Sequence, residues 1–442
     1  MEVQLETSDG LVRQMKVRIP AEQVSKAVDA RLKSIAARAK VPGFRPGKAP
    51  MKLISSQYGP QARMDVVTDL VRGSYPEAVQ KAGVNPAGAP SFEVTAESPD
   101  NELEYTASFE VYPEITLGAL DSLTIERPLV EISEADIDKL VDNLRSSRRT
   151  LNEVERASVV GDACVIDFIG RIDGEEFEGG KGSDVELELG SGRFLPDLEN
   201  GIVGHSVGET FTVDVAFPED YRAEQLAGKA AQFEVTLKKV QEPVLPEIDA
   251  AFLKEHGIEA EAGVEGLREK CRKALAKERD KAVKNRVKVQ ALDGLLEMND
   301  IPVPQALIDQ EIPRLRQEAA SRFSSAGLKP EQLDQMLPNE IFQEQAKKRV
   351  ALGLLISEVI RKLEIKPDPQ GVERAIEELA ADYEHPEQVR QFYQGRPDLL
   401  QGVRALALED QVVAALVDGA QVSDKPIALD ELLASQNQNQ LG

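Results

Sequence analysis

The chain has 442 residues with a formal net charge of -24, 29% charged residues, 5% aromatic residues and no tryptophan. A chain of this length exceeds what one hydrophobic core supports, so about three domains are expected. The composition excludes a helical membrane protein, because no apolar run approaches the ~20 residues that a span requires, and the acidity excludes a general affinity for polyanions.

The rare residue types give no sign of metal, disulfide or cofactor chemistry. Cys164 and Cys271 are too isolated to form a disulfide framework or a metal pair, and His205, His256 and His385 lie far apart in the sequence. We therefore expect neither a metal nor a cofactor. The chain also begins without the cationic and apolar segments of a secretory signal, which favours a cytoplasmic location.

Residues 1–112 have the pattern of a small α+β domain. Two alternating runs separated by the turn Thr7–Gly10 predict a strand pair, and Pro20 ends the second strand. Helical spacing of apolar residues predicts helices over 21–40, 49–58 and 64–81. Alternation of apolar and polar residues then predicts strands at 92–94 and 103–111.

The most informative stretch is Val41–Lys48, directly after the first helix. It contains two glycines, two prolines, one aromatic ring and two cations, so it is expected to be an exposed loop. No acidic residue occurs between Asp29 and Asp65, where the overall frequency of 77 in 442 predicts about six, and that window holds eight cations. A solvated loop is the ordinary alternative. A cationic patch tipped by Phe44 in an acidic chain favours an anionic partner such as a phosphate backbone.

Residues 113–149 have the pattern of a connector. Positions 117–131 are polar and extended, and an amphipathic helix is predicted over 134–149. The sequence Ser133–Asp136 has the form of a capping box at the start of that helix.

Residues 150–245 are predicted to be rich in strands. Period-two alternation predicts strands near 164–170, 211–215 and 232–237. The glycine-rich turn Gly179–Gly182 lacks the spacing of a phosphate-binding loop, so no nucleotide site is expected. In the simplest interpretation the aromatic residues fill the core of a small barrel. They are Phe168, Phe177, Phe194, Phe217, Tyr221 and Phe233.

Residues 246–442 are predicted to be almost entirely helical. A linker at Leu245–Asp249 precedes them, and the apolar run Val350–Ile356 indicates bundle core. The polar tail Ser435–Gln440 is predicted to be disordered. The helices are expected over 264–299, 305–325, 331–337, 339–364, 369–383, 386–394 and 397–418.

The run Gly43-Phe44-Arg45-Pro46-Gly47-Lys48, the docking loop hereafter, is similar to the ribosome-docking signature of the trigger factor family of bacterial chaperones. The segments Asn85–Pro90 and Val111–Glu114 also resemble that family. In the family the loop lies at the polypeptide exit port. The resemblance therefore implies a ribosomal partner, contacted through ribosomal RNA and an exit-port protein, with Phe44, Arg45 and Lys48 as the leading contacts.

The order of aromatic residues in 150–245 resembles a prolyl isomerase of the FK506-binding-protein type. The matching segments are Asp167–Gly170, Asp173–Glu178 and Phe217–Tyr221, followed by Phe233. The resemblance implies that the Tyr221 hydroxyl donates to the twisted amide and that Glu178 forms a polar wall. The full set of implied site residues is Phe168, Phe177, Glu178, Phe194, Leu195, Leu198, Tyr221 and Phe233.

Such a site needs no nucleophile, because no bond to the substrate is made or broken. Amide resonance opposes rotation about an X–Pro bond with a barrier of about 18–20 kcal/mol, and an apolar pocket disfavours the charge-separated planar amide. The chain departs from the family pattern at Asp197, where a glycine is usual, and at Leu198, where an aromatic floor residue is usual. Weaker stacking on the proline ring follows, so isomerase activity is expected but reduced.

The trigger factor resemblance also implies a C-terminal helical body with two arms that enclose a cradle for unfolded polypeptide. The predicted cradle-lining residues are Met336, Leu337, Ile341 and Phe342. Scattered apolar patches separated by charge suit the promiscuous binding of unfolded segments.

These observations predict a multidomain α+β protein. Its parts are a small α+β ribosome-binding domain (1–112), an extended linker plus helix (113–149), an antiparallel β domain with a short helix that is similar to FK506-binding proteins (150–245), and an all-α C-terminal chaperone domain with helical arms (246–442). The expected function is an ATP-independent chaperone that docks at the ribosomal exit port, shelters nascent and unfolded polypeptides and isomerises X–Pro bonds, with no membrane partner.

Three other interpretations stay open. The first is a stand-alone prolyl isomerase whose flanking domains dimerise or bind substrate. The second is a periplasmic folding factor, and the third is a free nucleic-acid binder, which the scarcity of basic residues outside the docking loop region disfavours. A homodimer of the free protein is also left open.

Overall fold

The computed structural model describes the main chain of residues 1–7, 10–39, 41–42, 44, 48–96, 102–219, 221, 223, 225–325, 336–381, 383 and 385–439. Side chains at 7, 96, 178, 322–325 and 437–439 lie outside that description. So do the predicted docking residues Gly43, Arg45, Pro46 and Gly47, and most of the helix predicted over 331–337.

The chain divides into two compact units. The first contains Met1–Arg127 and Lys284–Lys425, and the second contains Pro128–Val283 and Pro426–Gly442. The predicted helical segment 246–442 is therefore shared between the units, with 246–283 grouped in the second. The predicted domain borders at 112, 149 and 245 stay predictions.

A four-stranded antiparallel sheet opens the first unit. Its order is β1-β2-β4-β3, with β1 at Glu2–Thr7, β2 at Val12–Ile19, β3 at Ser91–Ala96 and β4 at Leu103–Glu110. Met15, Val17 and Tyr105 are completely buried on one face of this sheet. The Tyr105 hydroxyl is 2.8 Å from the Ser74 hydroxyl, so its polar end is satisfied inside the core.

One long helix replaces two predicted helices in this region. The predictions of 49–58 and 64–81 are wrong as separate elements, because a single helix runs from Met51 to Ala82 with Pro60 and Pro76 inside it. Each interior proline costs about 3 kcal/mol or more. A continuous buried face repays that cost: Ile54, Ala62, Val66, Val67, Val71 and Ala78 are all buried. Before it, the helix predicted over 21–40 runs from Ala21 to Arg38.

The helical part of the first unit forms its own core. The first unit contains the part of the helix Gly263–Glu297 that begins at Lys284. The α-helices that follow it are Gln305–Ser325, Gln343–Lys362, Pro369–Ala380, Pro386–Gln394 and Pro397–Gly419. Leu295, Leu355 and Leu416 are completely buried together. The predicted core role of the run 350–356 is confirmed at Ala351 and Leu355. The segment 339–364 begins as a 3-10 turn at Asn339–Phe342.

Two elements near the C terminus depart from the sequence prediction. Strand β11 (Gln421–Pro426) pairs with β5 (Thr124–Leu129) inside a stretch predicted to be extended. The tail predicted to be disordered from Ser435 instead belongs to a helix, Leu429–Asn439. That helix forms because Leu429 and Leu432 are buried against the core of the second unit, which short-range polarity does not reveal.

The connector helix of the second unit runs from Glu134 to Ser146. Its capping box is confirmed, because the Asp136 N–H donates to the Ser133 hydroxyl at 3.3 Å and the Ser133 N–H donates to the Asp136 carboxylate at 2.9 Å. Ile137 and Val141 pack on Leu267 and Cys271 of the long helix that begins at Gly263. The short helix Ala250–Glu255 starts at the Asp249 cap.

The strand-rich region forms a five-stranded antiparallel sheet that wraps around a short helix, Pro196–Ile202. The order is β6-β10-β7-β8, and β9 pairs with β10. The strands are β6 at Thr150–Glu153, β7 at Ala163–Ile172, β8 at Glu175–Glu188, β9 at Thr210–Ala216 and β10 at Ala230–Val244. Ile166, Ile202, Val235 and Leu237 are completely buried between the sheet and the helix. No helix in the described ranges is both long and apolar enough to cross a membrane.

Candidate functional site

A cavity of ≈ 660 Å³ opens on the concave face of this sheet. Seven of the eight predicted isomerase residues line it, namely Phe168, Phe177, Phe194, Leu195, Leu198, Tyr221 and Phe233. The eighth, Glu178, has its side chain outside the described part of the structure. Phe217 and Leu226 also line the cavity, although the sequence interpretation did not assign them to the site.

The aromatic rings form one contiguous wall. Phe168 and Phe177 contact Phe233 with centroid distances of 5.8 and 6.1 Å. Phe217 then joins Phe177 at 6.0 Å and Tyr221 at 4.8 Å, both edge to face. These separations suit the ring quadrupoles, so the wall is held by the rings themselves as well as by burial. The simple view of these rings as barrel core holds for the buried Phe217 and Phe233, which also face the cavity.

Glycines in β7 and β8 let the rings lie against the strands. A Cβ on Gly170 would lie 2.7 Å from Cε1 of Phe233, and one on Gly182 would lie 2.6 Å from Cε1 of Phe168. Neither glycine has a positive φ, so steric room is what both positions require. The glycine-rich run 179–182 could have indicated this close packing of rings on the strand. The sequence interpretation considered the run only as a phosphate-binding loop.

We expect Gly182→Ala to lower isomerase activity several-fold. The added methyl would also meet Cγ2 of Val185 at 2.8 Å, so the Phe168 ring must move out of the wall. Overpacking of this kind typically costs about 1–3 kcal/mol. Peptide isomerisation and amide hydrogen exchange in β7 and β8 measure the two effects. Gly402→Ala is the matched control, because nothing lies within 4 Å of its Cβ position; equal activity of wild type and Gly182→Ala would contradict the steric argument.

A buried carboxylate organises the loop at the cavity rim. Glu199 lies in the helix Pro196–Ile202 and is 4% exposed. It accepts backbone N–H groups of Gly190 at 2.9 Å, Gly192 at 3.2 Å and Phe194 at 3.0 Å. Burial raises the pKa of this carboxyl, but the N–H donors of Phe194, Gly192 and Gly190 outweigh it and hold the pKa below its usual value. Glu199 therefore fixes, as an anion, the loop that carries Phe194.

The two departures from the family pattern have structural explanations. Asp197 accepts the Ala216 N–H at 3.2 Å, which ties the first turn of the short helix to the end of β9. Leu198 is buried and lines the cavity floor. An aliphatic side chain therefore occupies the floor below an otherwise aromatic wall.

Tyr221 supplies the hydroxyl of the cavity. Its backbone N–H donates to the Pro218 carbonyl at 3.2 Å, so a turn presents the ring beside Phe217. The hydroxyl has no protein partner within the described part of the chain. It is available to donate a hydrogen bond to a bound amide.

The docking loop is described at two positions. Phe44 is 43% exposed, and its N–H donates to the carbonyl of the buried Val41 at 3.1 Å. Lys48 is exposed and forms no ion pair within the described ranges. The idea that the cationic window lacks compensating acids is wrong for Arg31, which pairs with Asp65 at 2.9 Å just beyond it. The Arg31 hydrogen bond lowers the pKa of Asp65.

The predicted cradle residues separate by burial. Leu337 and Phe342 are 6% and 7% exposed and pack on Ile308, Ile312, Leu315 and Ala346. Their prediction as lining residues is wrong, because they fill a core between helices. Met336 and Ile341 are each 57% exposed and remain candidates for contact with unfolded chain.

The described side chains contain no group of three or more His, Cys, Asp or Glu residues that could hold a metal. Cys164 is buried under the sheet, and burial raises its pKa to about 12, so this thiol is unreactive at neutral pH. Among the described residues that line the cavity, most are apolar, and the polar side chains belong to Tyr221 and Arg193.

This arrangement defines a class of protein. A curved antiparallel sheet around a short helix, with an apolar, ring-lined cavity, is a prolyl isomerase domain of the FK506-binding-protein type, carried here in a larger mixed α/β protein. In agreement, a family model described as FKBP-type peptidyl-prolyl cis-trans isomerase matches residues 154–238.

The flanking regions give the family. A model of the bacterial trigger factor protein matches residues 1–144, and a model of the trigger factor C-terminus matches residues 263–418. Together the two cover more than half of the chain. The chain belongs to the trigger factor family, and it is a chaperone that carries a prolyl isomerase domain.

Two solved structures are similar to this chain. One is a trigger factor chaperone described for promiscuous substrate recognition in folding and assembly, at 21% identity over 95% of this chain and 99% of that chain, with a TM-score of 0.47. The other contains domains of trigger factor from Thermotoga maritima, at 23% identity over 32% of this chain and 86% of that chain, with a TM-score of 0.25.

Proposed function

We propose that this protein is an ATP-independent chaperone that docks at the ribosomal exit port in the cytoplasm, shelters nascent polypeptides and isomerises their X–Pro bonds. The observation that carries the proposal is the ring-lined cavity with the Tyr221 hydroxyl, which has no partner among the described residues, in a protein of this family. The docking loop, the isomerase cavity and the exposed apolar side chains of the helical part supply its three activities.

Catalysis in the cavity lowers a rotational barrier. The planar X–Pro amide is stabilised by charge separation, which an apolar wall of Phe168, Phe177 and Phe233 solvates poorly. The twisted amide carries less charge separation, so the wall favours it relative to the planar state. The Tyr221 hydroxyl then donates a hydrogen bond to the prolyl nitrogen, whose lone pair is free of amide resonance only in the twisted state, so this bond favours the twisted state. Differential stabilisation of this kind requires no nucleophile, base or cofactor.

The floor of the cavity sets the rate in this proposal. Leu198 replaces the aromatic ring usual in the family, and the proline ring therefore stacks on an aliphatic surface. An aromatic contact contributes about 0.5–1.5 kcal/mol beyond its buried area. The rate enhancement is accordingly lower than with an aromatic floor, while Asp197 keeps the helix in place through β9.

Docking is assigned to the loop 43–48. Phe44 is 43% exposed, and Lys48 is an exposed cation that forms no ion pair with the described residues. A ring inserted into a groove and cations on phosphates form the two halves of such a contact. Arg45 completes the set predicted from the sequence.

Sheltering of unfolded chain is assigned to exposed apolar residues of the helical part. Met336 and Ile341 project from the core that holds Leu337 and Phe342, so a solvent-facing apolar pair rests on a rigid base. Single exposed apolar contacts are weak, which allows rapid exchange of different segments without ATP.

Ribosome pelleting tests the docking proposal. Replacing Phe44, Arg45 and Pro46 together by alanine is expected to weaken co-sedimentation at least tenfold, because a central ring and a phosphate contact are lost. The control is Val94→Ala, an exposed apolar residue on β3 of the same domain. Wild-type docking should also weaken as salt rises.

The alternatives predict different outcomes. A stand-alone isomerase would pellet with ribosomes equally well with and without the triple substitution. A free nucleic-acid binder would keep its affinity for naked duplex after that substitution. Isomerase activity of the triple variant is expected to equal that of wild type, because the loop and the cavity belong to different parts of the chain.

A further inference from the structure

The helix Pro397–Gly419 belongs to two separate hydrophobic cores of the first unit. Its first half contributes Ala407 to a small core shared with the helices Pro369–Ala380 and Pro386–Gln394, called the distal helices hereafter. Its second half contributes Leu416 to the main helical core. The middle of this helix therefore lies between the two cores.

Charged side chains occupy the layer between the two cores. The ammonium nitrogen of Lys284 lies 2.9 Å from a carboxylate oxygen of Glu378, on the distal helices, and 3.0 Å from one of Asp410. The ammonium nitrogen of Lys288 lies 2.8 Å from Glu409 and 3.3 Å from Asp410. Both lysines stand on the long helix whose end packs in the main core. These five residues, the charged layer hereafter, connect that helix to the distal helices and to the middle of the last long helix.

Both lysines of the charged layer are held in the charged form. Burial lowers the pKa of the Lys288 ammonium, but Glu409 and Asp410 outweigh that effect and raise the pKa above its usual value. The same balance, with Glu378 and Asp410 as partners, raises the pKa of Lys284. Removal of either lysine would leave partly buried carboxylates without their cation, which is destabilising.

A cavity of ≈ 250 Å³ interrupts the charged layer. Lys284, Glu378 and Asp410 line it together with small residues that include Ala407. The buried Oε1 atom of Gln411, which also lines this cavity, accepts no hydrogen bond from the described residues. A polar cavity of this size admits water. Incomplete packing and partly exposed ion pairs make this layer easier to open than either core.

We propose that the charged layer is a conformational switch, at which the distal helices move away from Lys284 and Lys288 while both hydrophobic cores stay folded. The motion breaks the ion pairs of these lysines and bends the helix Pro397–Gly419 between its two cores. This inference goes beyond the chaperone function proposed above and does not depend on it. In a chaperone, the opening changes the shape of the helical part without ATP.

Thiol labelling of the full-length protein tests the opening. Ala407→Cys places a reporter beside the cavity at a position that is 5% exposed in the closed state. Fluorescein maleimide is too large to enter the closed cavity, so it reacts only when the layer opens. Labelling, normalised to a free thiol, is expected to accelerate about fivefold between about 0.05 and 1 M NaCl, because salt screens partly exposed ion pairs.

Substitutions in the layer should change the labelling of Ala407→Cys in opposite directions. Lys288→Met leaves Glu409 and Asp410 without this cation and should accelerate labelling about tenfold at low salt, with a smaller salt dependence. Gln411→Leu replaces a buried acceptor by apolar atoms and should slow labelling. Lys362→Met, at an exposed lysine of the same unit, controls for the loss of charge and should leave labelling unchanged.

Ala351→Cys is the matched reporter, because Ala351 is 8% exposed and does not line the cavity. Its labelling should respond neither to salt nor to Lys288→Met. The native thiols Cys164 and Cys271 are buried in the second unit, and mass spectrometry of the same samples uses them to detect general unfolding. An Ala407→Cys signal that ignores both salt and Lys288→Met, faster labelling with Gln411→Leu, or an equal response at Ala351→Cys would overturn the proposal.

Discussion

Replacing Glu199 by alanine is expected to destabilise the isomerase domain by roughly 3–5 kcal/mol and to remove most of its activity. Three backbone N–H groups, of Gly190, Gly192 and Phe194, would lose the buried carboxylate that accepts their hydrogen bonds. A hydrogen bond to a charged group contributes about 1.5–3 kcal/mol. The rim loop would then lose its fixed geometry, and Phe194 would leave the wall of the cavity.

The measurement is native-state hydrogen exchange of the full-length protein, which gives a separate opening free energy for the isomerase strands. Asn200→Ala is the control, since Asn200 is the exposed neighbour of Glu199 on the same short helix. Glu199→Gln preserves the shape of the side chain but presents an amide nitrogen to at least one backbone N–H donor. Its loss of opening free energy is therefore expected to lie between those of wild type and Glu199→Ala. Opening free energies of Glu199→Ala and Asn200→Ala that agree within error would refute the organising role.

The pH dependence follows from the depressed pKa of Glu199. Because the folded-state pKa lies below the unfolded value of about 4.3, the carboxylate contributes stability above the unfolded value and loses that contribution as pH falls through the folded one. The stability difference between wild type and Glu199→Gln should therefore be largest near neutral pH. It should shrink progressively once the pH drops below about 4.3.

Tyr221→Phe is expected to lower kcat/KM for X–Pro isomerisation by about tenfold, the value of one hydrogen bond made in the transition state. The hydroxyl has no partner in the described part of the fold, so its removal leaves no unsatisfied group behind. The phenylalanine ring can keep the 4.8 Å contact with Phe217. Activity should fall while stability stays within about 0.5 kcal/mol of wild type.

A loss of activity without a loss of stability in Tyr221→Phe would separate the chemical role of the hydroxyl from the packing role of the ring. Phe217→Leu is the matched comparison, because Phe217 is buried and contacts three other rings of the wall. That variant should lose stability together with activity. If Tyr221→Phe retained full activity, the hydroxyl would have no catalytic role and apolar solvation alone would account for the rate.

Much of the isomerase site could be predicted from the sequence. The resemblance to FK506-binding proteins implied a site that includes Phe168, Phe177 and Phe233, and the structure brings these rings together. The rim carboxylate could not be found in this way. Glu199 is one of 77 acidic residues, and nothing in its neighbourhood shows that it folds back onto three amides.

Local signals also failed where a distant surface determined the structure. Helical spacing predicted a break between residues 58 and 64, where Pro60 lies, but the buried face of Met51–Ala82 continues across it. Polar residues predicted a disordered tail, but Leu429 and Leu432 are held by a core whose other members lie far away in the chain. Leu337 and Phe342 looked like surface patches beside Met336, and helix packing placed them inside.

The sequence by itself determined the class of each region, the start of the connector helix at Ser133 and the exposed character of the docking loop at Phe44. Those features depend on neighbours within a few residues, because strand alternation, helix capping and turn chemistry are local. The tertiary structure alone decided which acid holds the rim loop, which apolar residues face solvent, and where Arg193 stands relative to the cavity. Burial and hydrogen-bond partners depend on residues far apart in the chain, and a linear pattern carries no information about which of them meet.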